Sequence, residues 1–457
     1  MSYIRVPPDG AGKKVYTQAH TGLNGGADDV EAQVMHIADP TSPTQIQKVD
    51  QYGASSISFA EGPPTLAGFG ALNVSVKHLL GSYMATSRNN HKDFSQTLVN
   101  GGYITHDYTA KAHILGTTTT SGSRVTRTTN HYHPYIPGSA SLVLLSLGCG
   151  DTGTTNNTRR WGAFDDNDGV YFELKDTTLC TVIRSSTTGS VVETTVSQSN
   201  WNGDKLDGTG LSGETIDVSK LSVYWIDYQW LGAGRVRFGV YSSTGQRVVC
   251  HAFENANLSS VPYMRTGTLP IRTENVNTGL TAQGTTLREV CTAAYTEANF
   301  DDVVYDRSAD MYVPWLSYGT GESPVAALRS KLSVTGSPHN SASSFLDAIN
   351  VYADGPCKIT LYDRVTFVTG TWVDANTDSA LEVSLLPTLS GLDNPFGVIY
   401  AMSGTEVYNL SDIFKPNDRA IRLNADGTES VWAITTEPLG DTTGFNMQMD
   451  MIHKELW

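Results

Sequence analysis

From Tyr224 to Trp230, and again from Arg235 to Tyr241, apolar and polar residues nearly alternate. A period of two marks a strand with one face buried. Gly232-Ala233-Gly234 lies between the two runs and supplies residues that tolerate positive φ. The expected pairing sets Trp230 against Val236, Tyr228 against Phe238 and Ile226 against Val240. One face is then wholly apolar. The other carries Trp225, Asp227, Gln229, Arg235, Arg237 and Tyr241. A loop one residue longer or shorter would mix the faces, because a one-residue slip turns the apolar set towards water. Ser242 to Gly245 forms a second turn, and Val248 to Phe253 a third strand of the meander.

The same alternation recurs. Between about 89 and 307 it predicts strands at Ile104–Tyr108, Lys111–Leu115, Arg124–Thr128, Ser141–Cys149, Val170–Leu174, Cys180–Arg184, Val191–Val196, Ser222–Leu231, Val236–Tyr241, Val248–Phe253, Leu269–Arg272 and Leu287–Tyr295. So many short strands, with little helical periodicity, argue an all-β, jelly-roll-like antiparallel β-sandwich. After an acidic, aromatic connector (EANFDDVVYDRSADMYVPW), residues 308–457 read as a second, smaller β domain. Its strands are expected at Ala326–Val334, Phe345–Tyr352, Lys358–Leu361, Val365–Val368, Leu381–Leu386, Val398–Met402, Val431–Thr435 and Phe445–Ile452.

Residues 1–88 are broken by Pro7-Pro8, Gly25-Gly26, Pro40, Pro43 and Pro63-Pro64. Short extended pieces are expected at Ala32–Ile37, Gln45–Val49 and Ser56–Phe59, and a helix at Asn73–Ala85. With so little continuous core the segment reads as an extended attachment or assembly arm.

Composition narrows the function. The formal net charge of −15 argues against generic affinity for nucleic acid. The run Leu142–Leu147 is too short to span a membrane. The opening MSYIRVPPDGAGKK lacks an apolar signal core, so a cytoplasmic product not exported by a secretory pathway is expected. Cys149, Cys180, Cys250, Cys291 and Cys357 are scattered, without a CxxC pair, and read as buried free thiols.

Candidate chemistry is sparse. In FDDNDGVYFEL, Asp165, Asn167 and Asp168 present oxygens that suit a structural Ca²⁺, although Asn, Asp and Gly there equally suit a turn. Asp204 and Asp207 share a polar loop and are the only visible pair for carboxylate catalysis. In NHYHPYIP, His131 and His133 share a face of an extended chain, as a metal pair would, but Pro134 and Pro137 equally suit a rigid approach to a strand. His20 and His36 are isolated, and His251 reads as a core histidine. Trp161 and Trp201 read as sandwich core. No GxSxG, Walker A or HExxH pattern occurs. The polar face of the meander, with Trp225, Arg235, Arg237 and Tyr241, is the leading binding candidate. Its aromatic and guanidinium groups suit stacking on a sugar or another chain.

Several segments resemble a family of virion structural proteins of tailed bacteriophages. They are SRVTRTTNHYHPYIPGS, RRWGAFDDNDGVYFEL, VIRSSTTGSVVET, QSNWNGDKLDGTGLSG and VYWIDYQWLGAGRVRFGVY, with HAFENAN, MRTGTLPIRTEN and the N-terminal AQVMHIADP and AEGPPTLAGFGAL. The resemblance covers roughly residues 1–300. It implies a non-enzymatic tail, fibre or other particle-surface component, made in the host cytoplasm and carried on the virion. Such a component would self-assemble as a trimer or ring and dock on other virion proteins. A host-receptor or glycan-binding module on the particle is the alternative, and a capsule depolymerase a third reading.

Overall fold

The computed structural model describes residues 77–85, 93–130, 132–298, 307–334, 342–376, 379–393, 395–414, 420–421, 423, 428–440 and 444–456, with four short strands before residue 33. Those four form two pairs, Tyr3–Ile4 with Val15–Tyr16 and Gln18–His20 with Val30–Ala32. The extended pieces expected at Gln45–Val49 and Ser56–Phe59, and most of Ala32–Ile37, lie outside the described residues. The chain divides into two compact units, Met1–Thr65 and Leu66–Trp457.

In the second unit, fifteen strands build a sandwich. They are β1 (His78–Met84), β2 (Phe94–Val99), β3 (Tyr103–Asp107), β4 (Ala112–Gly116), β5 (Arg124–Thr129), β6 (Ser141–Gly148), β7 (Asn157–Phe164) and β8 (Gly169–Lys175). Then follow β9 (Thr178–Ser185), β10 (Val192–Ser197), β11 (Ser222–Tyr228), β12 (Val236–Tyr241), β13 (Arg247–Phe253), β14 (Ile271–Asn277) and β15 (Thr286–Thr296). One sheet has eight strands in the order β13-β12-β11-β6-β15-β4-β3, with β1 also on β15; the other has seven, β10-β9-β8-β7-β14-β5-β2. Every pairing within the two sheets is antiparallel. The expected all-β, jelly-roll-like sandwich is the fold.

The core closes where the two inner faces meet. Trp161 and Phe172 of the seven-stranded sheet pack on Tyr224 and Phe238 of the other, with ring centroids 5.1 Å apart for Trp161–Tyr224 and 5.2 Å for Phe172–Phe238. Each such side chain contributes about 1.5–3 kcal/mol by leaving water. Trp161 and Trp201 are both buried in this core, as expected.

Three features differ from the sequence reading. The helix expected at Asn73–Ala85 is instead β1, a strand from His78 to Met84. β15 is 11 residues long and β4 covers only its first part, Thr286–Glu289. The remaining ladder groups of Cys291–Thr296 take β1 as their partner. Backbone pairing along an open strand outweighs a weak helix propensity. The sandwich therefore begins inside the segment read as arm. Second, β2 and β7 lie outside the expected strands, and β7 is the middle strand of its sheet. Third, the stretch read as a connector runs into a 12-residue strand, Arg307–Tyr318, paired with Phe445–Leu456.

The smaller β region has a sheet of Arg307–Tyr318, Phe445–Leu456, Ser343–Ala353 and Gly404–Asn409, with Ala420–Ile421 on Ser343–Ala353. A six-stranded sheet faces it, with Ser323–Ser330, Val431–Pro438 and Cys357–Tyr362 at its centre. Met447, Met449 and Met451 alternate into the core between them.

Candidate functional site

The meander forms with the anticipated faces but a different register. Tyr228 pairs with Val236, Ile226 with Phe238 and Tyr224 with Val240, two residues from the expected alignment. A two-residue shift keeps each side chain on its own face. Trp230 leaves the ladder: its indole N–H donates to Met264 O at 2.8 Å and its ring packs edge-on against Tyr135. Gly234 then passes so close to the Gln229 carbonyl that a Cβ would lie 1.7 Å from its oxygen.

The four residues expected to form a binding face do not act together. Trp225 is 1% exposed, its N–H donating to Val240 O at 3.1 Å. It lies across Gly239, and the Arg247 guanidinium covers it at 3.9 Å. Arg237 is held bidentate by Asp227, at 2.8 and 2.7 Å, and Arg247 joins the same carboxylate at 3.1 Å. Arg235 lies 3.8 Å from Glu254. A stacking platform on Trp225 is thereby ruled out: burial and Arg247 close it. Tyr241, of intermediate exposure like Arg235 and Arg237, lines a groove.

That groove, of about 500 Å³, runs along the rim of the eight-stranded sheet beneath the 202–220 loop. Its walls include Glu214, Asp217, Leu221, Val223, Tyr241 and Ser243. Leu221 and Val223 are exposed apolar residues. Glu214 Oε1 accepts the Ser243 N–H at 3.1 Å and its hydroxyl at 2.8 Å, and Oε2 has no hydrogen bond among the described residues. Asp217 Oδ1 accepts the Ser219 hydroxyl and N–H at 2.6 and 3.0 Å, and Lys220 lies 3.2 Å from Oδ2. These bonds, the hydroxyl's first, hold the Asp217 carboxyl below its ordinary range. The site thus places an aromatic side chain, carboxylates and hydroxyls along one groove.

The loop above it is anchored. Leu206 is buried in the sandwich core, and Asn202 exchanges two hydrogen bonds of 2.9 Å with the Ala252 backbone. Asp204 accepts the N–H groups of Leu206 and Ser212 at 2.9 and 2.8 Å. Partial burial works against its ionised form, but those backbone donors outweigh it and lower the carboxyl. The Thr209 hydroxyl, then the Thr209 N–H, lower Asp207. A general acid needs a raised carboxyl, and neither shows one.

The acidic turn is likewise spent on the fold. Asp165 Oδ1 accepts the N–H groups of Asn167 and Asp168 at 2.7 and 2.8 Å, and Oδ2 accepts the Tyr132 hydroxyl at 3.0 Å. Asp168 is buried and takes the Ser186 hydroxyl at 2.7 Å and the Arg265 N–H at 2.9 Å. The geometry is the turn alternative, not a Ca²⁺ cradle. Among the described residues no three His, Cys, Asp or Glu side chains are placed to hold a metal ion. His36 and His131 lie outside the described residues, and of His20 only its place in a short strand is described. His133 is buried and bridges to Leu269. His251 is a core histidine: its Nδ1 accepts the Asn202 N–H at 3.3 Å and burial lowers its pKa. The cysteines are free, and all but Cys291 are buried.

What the sequence reading missed lies on the outer face of the seven-stranded sheet. Arg124, Arg160, Arg184 and Arg272 converge there on Asp166, Glu173, Glu193 and Glu274. Phe164 and Tyr171 form the buried floor. Arg184 lies 5.6 Å above the first ring and 5.2 Å above the second.

The sequence matches no family model and no curated protein. Similar solved structures include the Emp47p carbohydrate recognition domain, 10% identical over 48% of this chain and 96% of that one, with a TM-score of 0.31. A legume lectin-like domain from Entamoeba histolytica is 9% identical over 47% and 96%, with a TM-score of 0.29. A structure described with endo-acting O-glycanases of the human gut microbiota is 11% identical over 48% and 98%, with a TM-score of 0.34. At such scores these likenesses carry nothing about activity.

Proposed function

We propose that the chain is a non-enzymatic, glycan-binding component of a tailed-phage particle. The observation that supports binding is the rim groove. Tyr241 lines it, beside the Glu214 and Asp217 carboxylates and serine hydroxyls. Sugars present just this mixture of apolar C–H faces and hydroxyl donors, and shallow polar grooves suit them better than compact apolar ligands. The virion setting rests on the sequence segments quoted above.

The test is a glycan panel with the purified protein. Tyr241→Ala should weaken binding of any glycan retained by about three- to tenfold, the scale of one aromatic contact, with an unchanged circular dichroism spectrum. If the wild type retains nothing at millimolar concentration, or Tyr241→Ala binds equally well, the reading fails.

A second reading is docking on sister subunits, as a trimer or ring, or on other virion proteins. It is favoured by the separation of Met1–Thr65 as a compact unit of its own. The two readings are compatible, since they use different parts of the chain.

A further inference from the structure

The arginine groove on the seven-stranded sheet is distinct from the Tyr241 groove. It encloses about 300 Å³. Its ion pairs are unequal. Arg160 holds Glu173 at 2.7 Å and Glu274 at 3.2 Å, with both carboxylates buried. Arg124 holds the same Glu274 at 2.7 Å. These pairs are built into the sheet. Asp166 differs, because its side chain is 75% exposed and comes from a turn. It reaches over to Arg272 at 2.7 Å and stands 4.0 Å from Arg124. Arg272 is only 6% exposed, and its buried Nε has no hydrogen-bond acceptor among the described residues. Only the Asp166 end of the pair stands in solvent, and Arg272 also lies 3.6 Å from Glu274, so the guanidinium keeps a partner when Asp166 turns away. Asp166 therefore occupies, loosely, a position between two guanidiniums that a carboxylate from outside would fill.

We propose that this groove binds a carboxylate-bearing sugar, such as a uronate residue of an acidic glycan, with its carboxylate replacing that of Asp166 between Arg124 and Arg272. The remaining wall chooses a sugar over an acidic peptide. Glu274 lines the groove in its ion pairs, and Glu193 beside it has no hydrogen bond to Oε2 among the described residues. This acceptor suits a hydroxyl of a sugar acid, and its charge, with that of Glu274, repels a second and third carboxylate of a polyanionic peptide. The Asp166 carboxyl fits its role as an internal stand-in. Partial burial works to raise it, but Arg272, then Arg124, outweigh that and keep it ionised.

Calorimetry of the full chain with a glucuronate tetrasaccharide tests this, with a glucose tetrasaccharide and tetraglutamate as controls. The acidic sugar should bind, and more weakly as salt rises. Asp166→Asn should tighten binding about two- to fivefold, the scale of one exposed ion pair. Arg124→Gln, at a partly exposed position chosen to preserve folding, should weaken it. Tyr241→Ala should leave it unchanged, so failure of the rim-groove reading and failure of this one are told apart. No binding of the acidic sugar by either the wild type or Asp166→Asn overturns the proposal. So does equal binding of the neutral sugar, or of tetraglutamate.

Discussion

Glu289→Gln is the sharpest test of how the two sheets are joined. Arg127 of β5 and Glu289 of β15 form an ion pair between the sheets, with side chains 1% and 4% exposed. Glu289 also accepts the Thr273 hydroxyl at 2.7 Å and the Thr292 hydroxyl at 3.2 Å. The guanidinium lies 3.3 Å over the Phe94 ring. Burial works against the charged form of Arg127, and Glu289 is the first of the groups that oppose it. A glutamine amide in place of this carboxylate keeps the shape and one acceptor but removes the charge, leaving a cation in the core. Breaking a buried pair from one side costs about 3–5 kcal/mol. For a domain of this size each kcal/mol moves Tm by about 2–4 °C, so a loss of about 6–20 °C is expected. Thermal unfolding followed by tryptophan fluorescence reads it, since Trp161, Trp201 and Trp225 are buried in the sandwich. The double variant Arg127→Met, Glu289→Leu should recover most of the loss, because a buried pair replaced whole by apolar groups is often neutral or better. A Glu289→Gln protein melting within about 2 °C of wild type would refute the reasoning, as would a double variant less stable than the single one.

Three further outcomes follow from the same neighbourhood and from the chain's division. His113 is buried beside this pair, and neither ring nitrogen has a partner among the described residues. Burial, then Arg127, push its pKa down to about 4, with Glu289 opposing and His106 adding to the shift. The unfolded chain therefore takes up this proton first, so its stabilising effect is complete above about pH 6.5 and is lost as pH falls towards 4. Tm measured from pH 7 to 4.5 should fall less steeply in His113→Gln than in wild type, and equal slopes would count against it. Removing residues 1–65 should leave a folded sandwich that still binds glycan but is missing from purified particles; the truncated chain found on particles would defeat docking through that segment. A cut at residue 88 would instead remove β1 from β15 and is expected to destabilise the sheet.

The fold was legible where the period of two is strict, and the faces of the meander are the clearest case. Burial decides parity, because an odd slip exposes Ile226, Tyr228 and Phe238. It does not decide between registers two residues apart, which present the same faces. What chose here was tertiary: Trp230 finds its acceptor at Met264, and Gly239 leaves room for the Trp225 indole. β7 escaped for a related reason. Its inward position Arg159 looks like surface, yet it is buried with donors on Cys149 O at 2.9 Å and Asp151 at 2.7 Å. A central strand with a satisfied guanidinium breaks the apolar pattern by which strands are found. β1 escaped because its place depends on β15 being longer than the strand beside it, which no local window shows.

Sites were less legible than strands, and the two grooves show why. Alternation places Trp225 on the polar face but says nothing of what lies over it. The covering residue, Arg247, belongs to the next strand, and once it pairs with Asp227 the face is closed. The arginine groove fails to show for the opposite reason. Arg124, Arg160, Arg184 and Arg272 stand on β5, β7, β9 and β14, at polar positions that each read as ordinary solvated surface. Only the sheet order β9-β8-β7-β14-β5 brings them within reach of shared carboxylates. A single strand reveals which way a side chain faces, whereas a binding surface is a property of strand order. Chemistry in this sandwich therefore has to be sought where an exposed carboxylate from a turn covers a buried guanidinium, as Asp166 covers Arg272.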